Sequence, residues 1–311
     1  MVYKLYSNPL IIRINQAKTG YSVNQKLRNM KIGIMQPYFF PYLGYFQLIN
    51  TVDKFVLFDD VQYIRHGWIN RNRILKPEAG WQYIVAPLES HSQKTLIRDI
   101  RVKNQMQDWK DRILRQMVHY KKRAPHYESV IALLQKCFDT DEADICRFNR
   151  DCLLHVCEYL NISTSISISS ELNLDYSEVN DAGEWALKIC KQLRGVEYIN
   201  PVGGKDIFQP WKFSQNNIKL SFLKSDLKPY SQKRSDVFEP GLSIIDVMMF
   251  NSPREIRSML KLYEIERASV EKVNIEKIAK KTQTPSFYQS LFFYPNLLEF
   301  LGPEVLEFAM I

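Results

Sequence analysis

Residues 31–60 read KIGIMQPYFFPYLGYFQLINTVDKFVLFDD, and their pattern gives the strongest indication of the fold class. The apolar run at residues 32–35 predicts a buried strand, residues 43–50 predict a short helix, and residues 54–58 predict a second strand. A strand, a helix and a strand in close succession are typical of a βαβ unit, whose two strands lie parallel with a right-handed crossover. We therefore expect an α/β protein built on a parallel sheet.

Later segments extend both the sheet and its helices. Apolar or alternating patterns predict further strands at residues 81–87, 96–102, 163–169, 196–200 and 219–223. Apolar residues at helical spacing predict helices at residues 109–117, 130–138, 142–160 and 181–193. Ser252, followed by Pro253 and then by Glu255 at the third helical position, forms a capping box that predicts the start of another helix.

The chain is expected to divide into three parts. Residues 1–29 are basic, lack the apolar core of a secretory signal and precede Met30, so we expect them to form an N-terminal tail. Residues 30–250 are expected to form the α/β core, with a helical insertion at about 104–160. Residues 251–311 are expected to form a C-terminal helical region with helices broken at prolines.

Composition narrows the classes of function. The 311 residues are 45% hydrophobic and 24% charged, and no apolar run approaches the ~20 residues needed to span a bilayer. A net charge of +8 suits an anionic ligand, a phosphorylated substrate or RNA, and equally an ordinary basic surface. The five cysteines form no CxxC pair, so we expect reduced thiols in the cytoplasm, with Cys152 and Cys157 in the core. No histidine spacing indicates a metal site.

The loop between the first strand and the first helix has the composition of a pocket wall. It is rich in proline and tyrosine, and a glycine stands at its junction with the helix, where a backbone can approach a ligand closely. Ligands of parallel sheets lie outside the carboxyl ends of the strands, beside helix N-termini. A packed aromatic corner is the alternative. The candidate substrate-binding residues here are Gln36, Tyr38, Tyr42, Gly44 and Tyr45.

Tyr42-Leu43-Gly44-Tyr45 resembles in position the His-x-Gly-His motif of nucleotidyltransferases of the HxGH class. The resemblance implies a Rossmann-like parallel sheet of the HUP (nucleotidyltransferase-like) type, with a pocket at this loop. Tyrosine is neutral near pH 7, with an ordinary pKa of about 10, so it donates a hydrogen bond but does not replace an imidazolium. The resemblance therefore concerns the fold and the pocket more than the reaction.

Residues 58–74, FDDVQYIRHGWINRNRI, hold the densest set of polar side chains. Asp59 and Asp60 end a strand, the preferred place for site residues in a parallel sheet. His66 has an ordinary pKa near neutrality, so it is the candidate general acid or base, with the two aspartates as candidates to orient it or to act on an amine. A bystander histidine and capping carboxylates are the alternatives. Candidate substrate-binding residues with amide, guanidinium or indole groups are Gln62, Trp68, Asn70, Arg71 and Asn72.

A third candidate site lies in YINPVGGKDIF, residues 198–208. Backbone N–H groups around a glycine pair can wrap an anion, which makes Asn200, Gly203, Gly204 and Lys205 candidate substrate-binding residues. A turn that requires glycine is the alternative. Asn149 belongs to none of these sites, because it lies on the apolar face of its helix, where a core amide is favoured over a ligand contact.

Together these motifs resemble the WbqC-like family. The resemblance rests on QPYFFPYLGYFQLI, on DDVQ joined to GWINRN, on YINPVGGKDIF and on LSIIDVMMFN at residues 242–251, and it covers the chain from Met30. It implies a bacterial enzyme of surface-polysaccharide (O-antigen) or amino-sugar biosynthesis that transfers an amino acid such as glycine, or another acyl group, to a sugar amine.

Amide formation needs a proton acceptor for the amine and donors for the developing oxyanion. On this interpretation His66 or an aspartate takes the proton, Asn70 or Asn72 steadies the oxyanion, and Arg71 or Arg73 holds a sugar-nucleotide phosphate. The expected partner is thus a small molecule, a sugar nucleotide. The cofactor is left open between ATP and an activated acyl donor, and the donor or its carrier is not identified.

Two other functions stay open. One is an ATP-dependent nucleotidyltransferase or ligase-like enzyme, which the HxGH-like spacing favours. The other is a non-catalytic module that binds RNA or a sugar nucleotide. No RRM, KH or helix-turn-helix signature accompanies the arginines and aromatic residues, which disfavours a nucleic-acid partner.

Overall fold

The computed structural model describes residues 29–104, 108–233 and 237–269. Within them the molecule is a mixed α/β structure around a six-stranded sheet in the order β5-β2-β1-β6-β7-β8. Five strands run parallel, and β8 runs antiparallel along the edge of β7. The strands of this sheet are β1 (Lys31–Met35), β2 (Lys54–Leu57), β5 (Ser165–Ile168), β6 (Glu197–Pro201), β7 (Lys219–Ser225) and β8 (Tyr263–Arg267). A separate antiparallel hairpin joins β3 (Arg71–Leu75) to β4 (Trp81–Val85).

Helices connect and cover the strands. The α-helices are α1 (Leu43–Thr51), α2 (Trp109–Met117), α3 (Tyr127–Phe138), α4 (Ile145–Leu160), α5 (Ala182–Gln192), α6 (Pro210–Gln215), α7 (Ile244–Phe250) and α8 (Pro253–Met259). Short 3-10 helices lie at Ile97–Asp99, Val118–Lys122, Ser169–Glu171 and Val202–Ile207. None of the described helices is long and apolar enough to cross a membrane.

The predicted βαβ unit is confirmed, and both faces of its sheet are buried. Strands β1 and β2 pair in parallel, from Ile32 opposite Lys54 to Met35 opposite Leu57, with α1 between them. Successive side chains of a strand point to opposite faces. Ile32 therefore packs in one cluster with residues of α5 and α6, while Met35 packs in another with residues of α1 and α4. Burial on both faces explains why the two strands read as continuous apolar runs.

The predicted helix starts are confirmed by their caps. The carboxylate of Asp181 accepts a hydrogen bond from the backbone N–H of Glu184 at the start of α5. At the start of α8, Ser252 and Glu255 accept hydrogen bonds from each other's backbone N–H groups. Each cap satisfies N–H groups that have no partner within the helix, so these short motifs fix where the helices begin.

Helix α4 turns its polar and thiol groups inward, as predicted. Cys152 and Cys157 are 2% and 3% exposed. Burial raises the pKa of the Cys157 thiol to about 12, so this thiol stays protonated at neutral pH. The side-chain amide of Asn149 donates to the carbonyl oxygens of Pro37 at 2.7 Å and Ile69 at 2.8 Å. Asn149 is therefore a core amide that ties the loop after β1 to the segment before β3.

The β3–β4 hairpin departs in part from the prediction. Strand β4 was predicted, but the segment that forms β3 was taken as polar site-forming sequence. The strand alternates, since Asn72 and Ile74 are buried while Arg71 and Arg73 are half-exposed. The arginines conceal this alternation from a search for apolar runs.

The predicted strand at residues 96–102 is wrong. Ile97–Asp99 is a 3-10 helix, and its flanks touch neighbouring segments only through isolated bridges. Ile97 and Ile100 are both fully buried. A spacing of three brings their side chains to one side of a tight turn, and this places Arg98 and Arg101 on the other side, toward solvent.

The predicted C-terminal helical region begins with α8 and then departs from prediction. Tyr263–Arg267 forms strand β8, which pairs with β7 along the edge of the sheet. Its alternate residues Glu264 and Glu266 are charged, as is common in exposed edge strands, and this removes the apolar signal from the sequence. Residues 270–311, where further helices were predicted, lie outside the described residues, as does the predicted tail up to residue 28.

The order of the parallel strands reverses between β1 and β6. The carboxyl ends of the parallel strands open on one edge of the sheet, where ligands of open α/β sheets bind. Gln36 follows β1, Asp59 and Asp60 follow β2, and Ser169 follows β5. This edge therefore brings together polar residues from distant parts of the chain.

Candidate functional site

Two aspartates and two serines meet beyond the neighbouring strands β2 and β5. Oδ1 of Asp59 accepts hydrogen bonds from the hydroxyl of Ser169 at 2.7 Å and from the backbone N–H of Ser170 at 3.0 Å. Oδ2 of Asp59 accepts from the hydroxyl of Ser170 at 2.6 Å. The hydroxyl of Ser169 also lies 2.7 Å from Oδ2 of Asp60. Asp59 is 1% and Asp60 9% exposed, so the two carboxyl groups form a buried pair.

The contacts of Ser169 suit a pair that can take up a proton. Its hydroxyl has one hydrogen, which can serve only one of the two carboxylate oxygens at 2.7 Å. The oxygen of Ser169 already accepts a hydrogen bond from the backbone N–H of Asp59 at 3.1 Å. When Asp59 takes up a proton, it can donate that proton to Ser169, while Ser169 donates to Asp60.

The surroundings of the two carboxyl groups differ in charge. Asp60 forms an ion pair with Arg98, whose guanidinium lies 2.5 Å from its Oδ1. Asp59 has no ion pair among the described residues. Burial raises the pKa of Asp59, hydrogen bonds from Ser170 and Ser169 oppose that rise, and the charge of Asp60 adds to it. Because Asp59 is buried without an ion pair in the described part of the chain, while its neighbour Asp60 is ion-paired, Asp59 is the candidate for proton exchange in this pair.

Tyr176 covers the pair from one side. Its ring packs against Phe58 and Trp185, with centroids 6.3 Å and 4.8 Å away. Burial and then the charge of Asp60 raise the pKa of the Tyr176 hydroxyl, which therefore stays protonated. That hydroxyl is buried and has no hydrogen-bond partner in the described part of the chain.

An open cleft of about 220 Å³ borders Asp59. Its charged lining has four carboxylates and three guanidinium groups, and the guanidinium groups of Arg101 and Arg147 face the carboxylates of Asp144 and Glu171 at 3.1 Å and 2.9 Å. When Asp59 is ionised, the lining therefore carries one more negative than positive charge and suits a cationic ligand group. No group of three or more His, Cys, Asp or Glu side chains within the described residues is arranged to hold a metal ion. The lining residues are Asp59, Arg98, Asp99, Arg101, Asp144, Arg147, Ile168, Ser170 and Glu171.

His66 does not join the carboxylate pair. It lies in an exposed turn with a positive φ of 66°, and its backbone carbonyl accepts a hydrogen bond from Arg71. Within the described residues no hydrogen bond, ion pair or ring contact links its imidazole to Asp59 or Asp60. The two aspartates are thus buried and contact the same serine hydroxyl, as suits a site of proton transfer. His66 is exposed and does not contact this pair.

The proline-rich loop is mostly a packed corner. Tyr38 and Tyr45 are 3% and 1% exposed, and the hydroxyl of Tyr45 donates to the backbone carbonyl of Gln36 at 2.8 Å. A Cβ on Gly44 would lie 2.4 Å from the ring of Tyr42, so the glycine makes room for this tyrosine. Gln36 is 2% exposed, and its side-chain oxygen has no hydrogen-bond partner among the described residues.

The predicted amide donors of residues 62–72 are used within the fold. Asn70 accepts a hydrogen bond from Tyr63 and donates to the carbonyl of Ala86, both within 3.0 Å. Asn72 donates to the carbonyls of two loop residues, Phe39 and Phe40, at 3.0 Å each. These two amides brace the hairpin and the loop. Asn72 uses both of its N–H donors in this way, and Asn70 uses one of its two. Gln62 is exposed, and Trp68 and Arg71 belong to the half-exposed face of the hairpin.

The glycine pair after β6 folds into a 3-10 helix, Val202–Ile207. A Cβ on Gly204 would lie 2.2 Å from the side-chain nitrogen of the buried Asn200, so this glycine makes room for the amide. Gly203 is exposed, and Lys205 forms an ion pair with Glu266 at 3.0 Å. The observed contacts favour the structural alternative over an anion-binding loop.

A comparison with protein families shows to which family the chain belongs. The model of the WbqC-like protein family matches residues 36–258. The chain belongs to the WbqC-like family. It is 29% identical over 234 residues to the uncharacterized protein Rv1507c of Mycobacterium tuberculosis, a match that covers 74% of this chain and 97% of that protein. No solved structure matches it.

The last motif of this WbqC-like protein, LSIIDVMMFN, lies mainly in α7 and carries a buried aspartate. Asp246 is 0% exposed and accepts hydrogen bonds from the hydroxyls of Tyr120 at 2.6 Å and Tyr230 at 2.5 Å. The hydroxyl of Tyr120 also accepts from the backbone N–H of Leu75 at 3.0 Å. The aspartate therefore links α7 to the end of β3.

Several site residues of the WbqC-like protein were missed from its sequence. Ser169 and Ser170 follow a strand that was predicted, so the rule that placed Asp59 in a site applies to them too. What the sequence does not reveal is that β5 lies beside β2. The other residues of the site that were missed are Arg98, Arg101, Asp144, Arg147, Glu171 and Tyr176.

Proposed function

We propose that this WbqC-like protein transfers an amino acid or another acyl group to the amine of a sugar, with Asp59 as the proton acceptor. The observation that carries the proposal is the buried carboxyl group of Asp59, which shares the hydroxyl of Ser169 with Asp60 and borders the cleft. A sugar amine is an ammonium ion near neutral pH, and the surplus of carboxylates in the cleft attracts it.

The proposed reaction begins when the sugar ammonium gives a proton to the carboxylate of Asp59. The freed lone pair on nitrogen attacks the carbonyl carbon of an activated acyl donor. A C–N bond forms, the bond from the acyl carbon to the leaving group breaks, and the leaving group departs with its electron pair. The nitrogen loses its second proton to the leaving group or to solvent, which gives the neutral amide. The proton held on Asp59 is then available to the leaving group or to solvent.

In this proposal, three guanidinium groups of the cleft stabilise the oxyanion, a role that was expected from the sequence for Asn70 or Asn72. Arg98, Arg101 and Arg147 line the cleft that Asp59 borders. Their N–H groups can donate to the carbonyl oxygen as it becomes negative, in a site where such donors are held in place by carboxylate partners. Asp60, which is held by its ion pair with Arg98, accepts a hydrogen bond from Ser169 and so orients it.

We also propose that the sheet is Rossmann-like and of the HUP type. Its parallel strands, numbered in chain order without the hairpin, lie in the order 3-2-1-4-5, which is typical of doubly wound nucleotide-binding sheets. This order favours ATP-dependent nucleotidyl transfer or ligation as a second candidate function. The packing of Tyr42 over Gly44 and the burial of Tyr45 argue against the HxGH mode of phosphate binding.

A product screen tests the proposal. The purified protein is incubated with amino-sugar nucleotides of different amine position, either with acyl-coenzyme A donors or with glycine and ATP, and the products are weighed by mass spectrometry. The expected result is one sugar nucleotide that gains the mass of an acyl group. Pyrophosphate release without any acylated sugar would favour the second function, and an absence of transfer with every pair would overturn the first.

A matched pair of variants connects the activity to the cleft. Asp59→Asn is expected to lower the rate of transfer about 10²-fold or more, since it removes the proton acceptor. Asp108→Asn makes the same chemical change at an exposed carboxylate on the surface, ion-paired with Arg115, and is expected to leave the rate unchanged. Equal rates for both variants would contradict the role of Asp59.

A further inference from the structure

The outer face of the β3–β4 hairpin carries a second cluster of functional groups, outside the lining of the cleft. We call it the hairpin face, and it consists of Trp68, Arg71, Arg73, Trp81 and Tyr83. Arg71 and Arg73 lie on the same side of β3, and Tyr83 lies directly opposite Arg73 on β4. All five residues are half-exposed, so a ligand can reach them.

The arginines of the hairpin face are stacked on aromatic rings. The guanidinium of Arg71 lies 4.2 Å from the ring centre of Tyr83. That of Arg73 lies between two indoles, 5.3 Å from the ring of Trp68 and 5.1 Å from that of Trp81. These cation–π contacts hold both guanidinium groups beside aromatic rings, which we call the aromatic layer.

Within the described residues these two arginines have no carboxylate partner, in contrast to those of the cleft. In that part of the chain, Arg71 donates to the backbone carbonyls of Gly67 and His66, and Arg73 donates to that of Gly241. Nε of Arg73 is buried and has no hydrogen-bond partner within the described residues. Burial lowers the pKa of Arg73, while the charge of Glu239 opposes that effect without forming an ion pair.

The hairpin face therefore carries two positive charges and no carboxylate, so it suits an anionic ligand. The Cα atoms of two residues at positions i and i+2 of a strand lie about 7 Å apart on the same face, so the flexible side chains of Arg71 and Arg73 can reach one ligand. A guanidinium that is already oriented makes strong charge-assisted hydrogen bonds to phosphate oxygens. The neighbouring rings and guanidinium planes offer stacking surfaces for a nucleobase, and stacking accepts any base.

We infer that the hairpin face binds a nucleoside diphosphate group, with the phosphates on Arg71 and Arg73 and the base stacked on the aromatic layer. The inference deepens the proposed function, on which it rests for its biological meaning. The hairpin face would bind the nucleoside diphosphate group of a sugar nucleotide whose amine reacts in the cleft. The binding site itself follows from the hairpin and does not depend on acyl transfer.

Isothermal titration calorimetry with UDP, ADP, uridine and inorganic pyrophosphate tests the inference on the full chain. UDP and ADP are expected to bind with similar affinity, because stacking does not select the base. Uridine and pyrophosphate are each expected to bind at least about tenfold more weakly, since each lacks one half of the recognised group. Equal affinity for pyrophosphate and UDP would overturn the role of the aromatic layer.

Substitutions locate the site. Arg71→Gln and Arg73→Gln are each expected to weaken UDP binding about tenfold, and the lysine variants by less, since lysine keeps the charge but loses the planar fork. Arg115→Gln, at an exposed arginine that is ion-paired with Asp108, is expected to have no effect. Circular dichroism checks folding, and if Arg73→Gln fails to fold, Arg71→Gln decides alone. Unchanged affinity in a folded Arg71→Gln variant would overturn the inference.

The outcome separates this inference from the proposed function. Asp59→Asn is expected to abolish transfer and to leave UDP binding within about twofold of wild type, because Asp59 is not part of the hairpin face. Arginine-dependent UDP binding without any transfer would support the site and contradict the reaction. Absence of UDP and ADP binding, with salt-sensitive binding of single-stranded RNA that requires Arg71, would overturn the inference in favour of an RNA surface.

Discussion

The hydroxyl of Ser169 lies 2.7 Å from Oδ1 of Asp59, although 110 residues separate the two along the chain. The contact joins the segments that follow β5 and β2, and it is duplicated by an equal contact to Asp60. A single hydroxyl group thus lies between two buried carboxyl groups at the edge of a cleft. This relationship determines how the site is expected to respond to substitution and to pH.

Ser169→Ala is expected to lower the free energy of unfolding by about 1–3 kcal/mol at neutral pH, because it removes the donor to the buried Oδ2 of Asp60 and the acceptor for the backbone N–H of Asp59. Urea unfolding measures the change. Ser177→Ala is the matched control, since Ser177 also donates to an aspartate, Asp175, but both are exposed. The control is expected to change stability by less than about 0.5 kcal/mol. A similar small effect of Ser169→Ala would show that the shared hydroxyl is not important for the fold.

Asp59 is expected to make the protein less stable as the pH rises. Burial raises its pKa in the folded state above the ordinary 3.8, so the folded protein holds the proton more tightly than the unfolded chain. The stability from this proton is fully present below pH 3.8 and is lost as the pH rises through the raised pKa. Asp59→Asn removes the titration, so its stability relative to wild type is expected to increase from about pH 3.5 to pH 7.

For the control variant, Asp108→Asn, the stability relative to wild type is expected to change with pH in the opposite direction. The hydrogen bond from Arg115 lowers the pKa of Asp108, whose contribution is therefore present above its ordinary value and lost as the pH falls. Asp108→Asn is thus expected to lose stability relative to wild type as the pH rises, and only slightly, because the ion pair is exposed. A flat or falling curve for Asp59→Asn would contradict the raised pKa of Asp59.

Gly44→Ala tests whether the glycine serves packing rather than ligand binding. A Cβ at this position would lie 2.4 Å from the ring of Tyr42, so the variant is expected to lose about 1–3 kcal/mol of unfolding free energy. In a Tyr42→Ala background the same change is expected to be neutral or stabilising by up to about 1 kcal/mol, because alanine favours a helix over glycine. Equal costs in both backgrounds would show that the ring is not the cause.

Much of the central sheet could be predicted because strands β1 and β2 are buried on both faces and read as apolar runs. Strands β3 and β8 could not, since Arg71 and Arg73 in one and Glu264 and Glu266 in the other replace the apolar signal. Both lie at the surface, where the side chains facing solvent are free to be charged.

Only those residues of the candidate site that local sequence indicates could be predicted. The position of Asp59 and Asp60 after a strand follows from local sequence, so these residues could be chosen from the chain alone. Ser169 completes the pair only because β5 lies beside β2, and strand order is not a local property. His66 was chosen for the ordinary pKa of its side chain, which carries no information on where the imidazole points.

The dependence of kcat/KM on pH for acyl transfer, in wild type and in Asp59→Asn, tests most directly whether Asp59 accepts the proton of the amine. The wild-type rate is expected to rise with pH through the raised pKa of Asp59, since only the carboxylate form accepts a proton. Asp59→Asn is expected to lose this rise and about 10²–10⁴-fold in kcat, with the KM for the sugar nucleotide little changed. An Asp59→Asn variant that keeps the wild-type kcat and the same rise with pH would contradict the proposed role of Asp59.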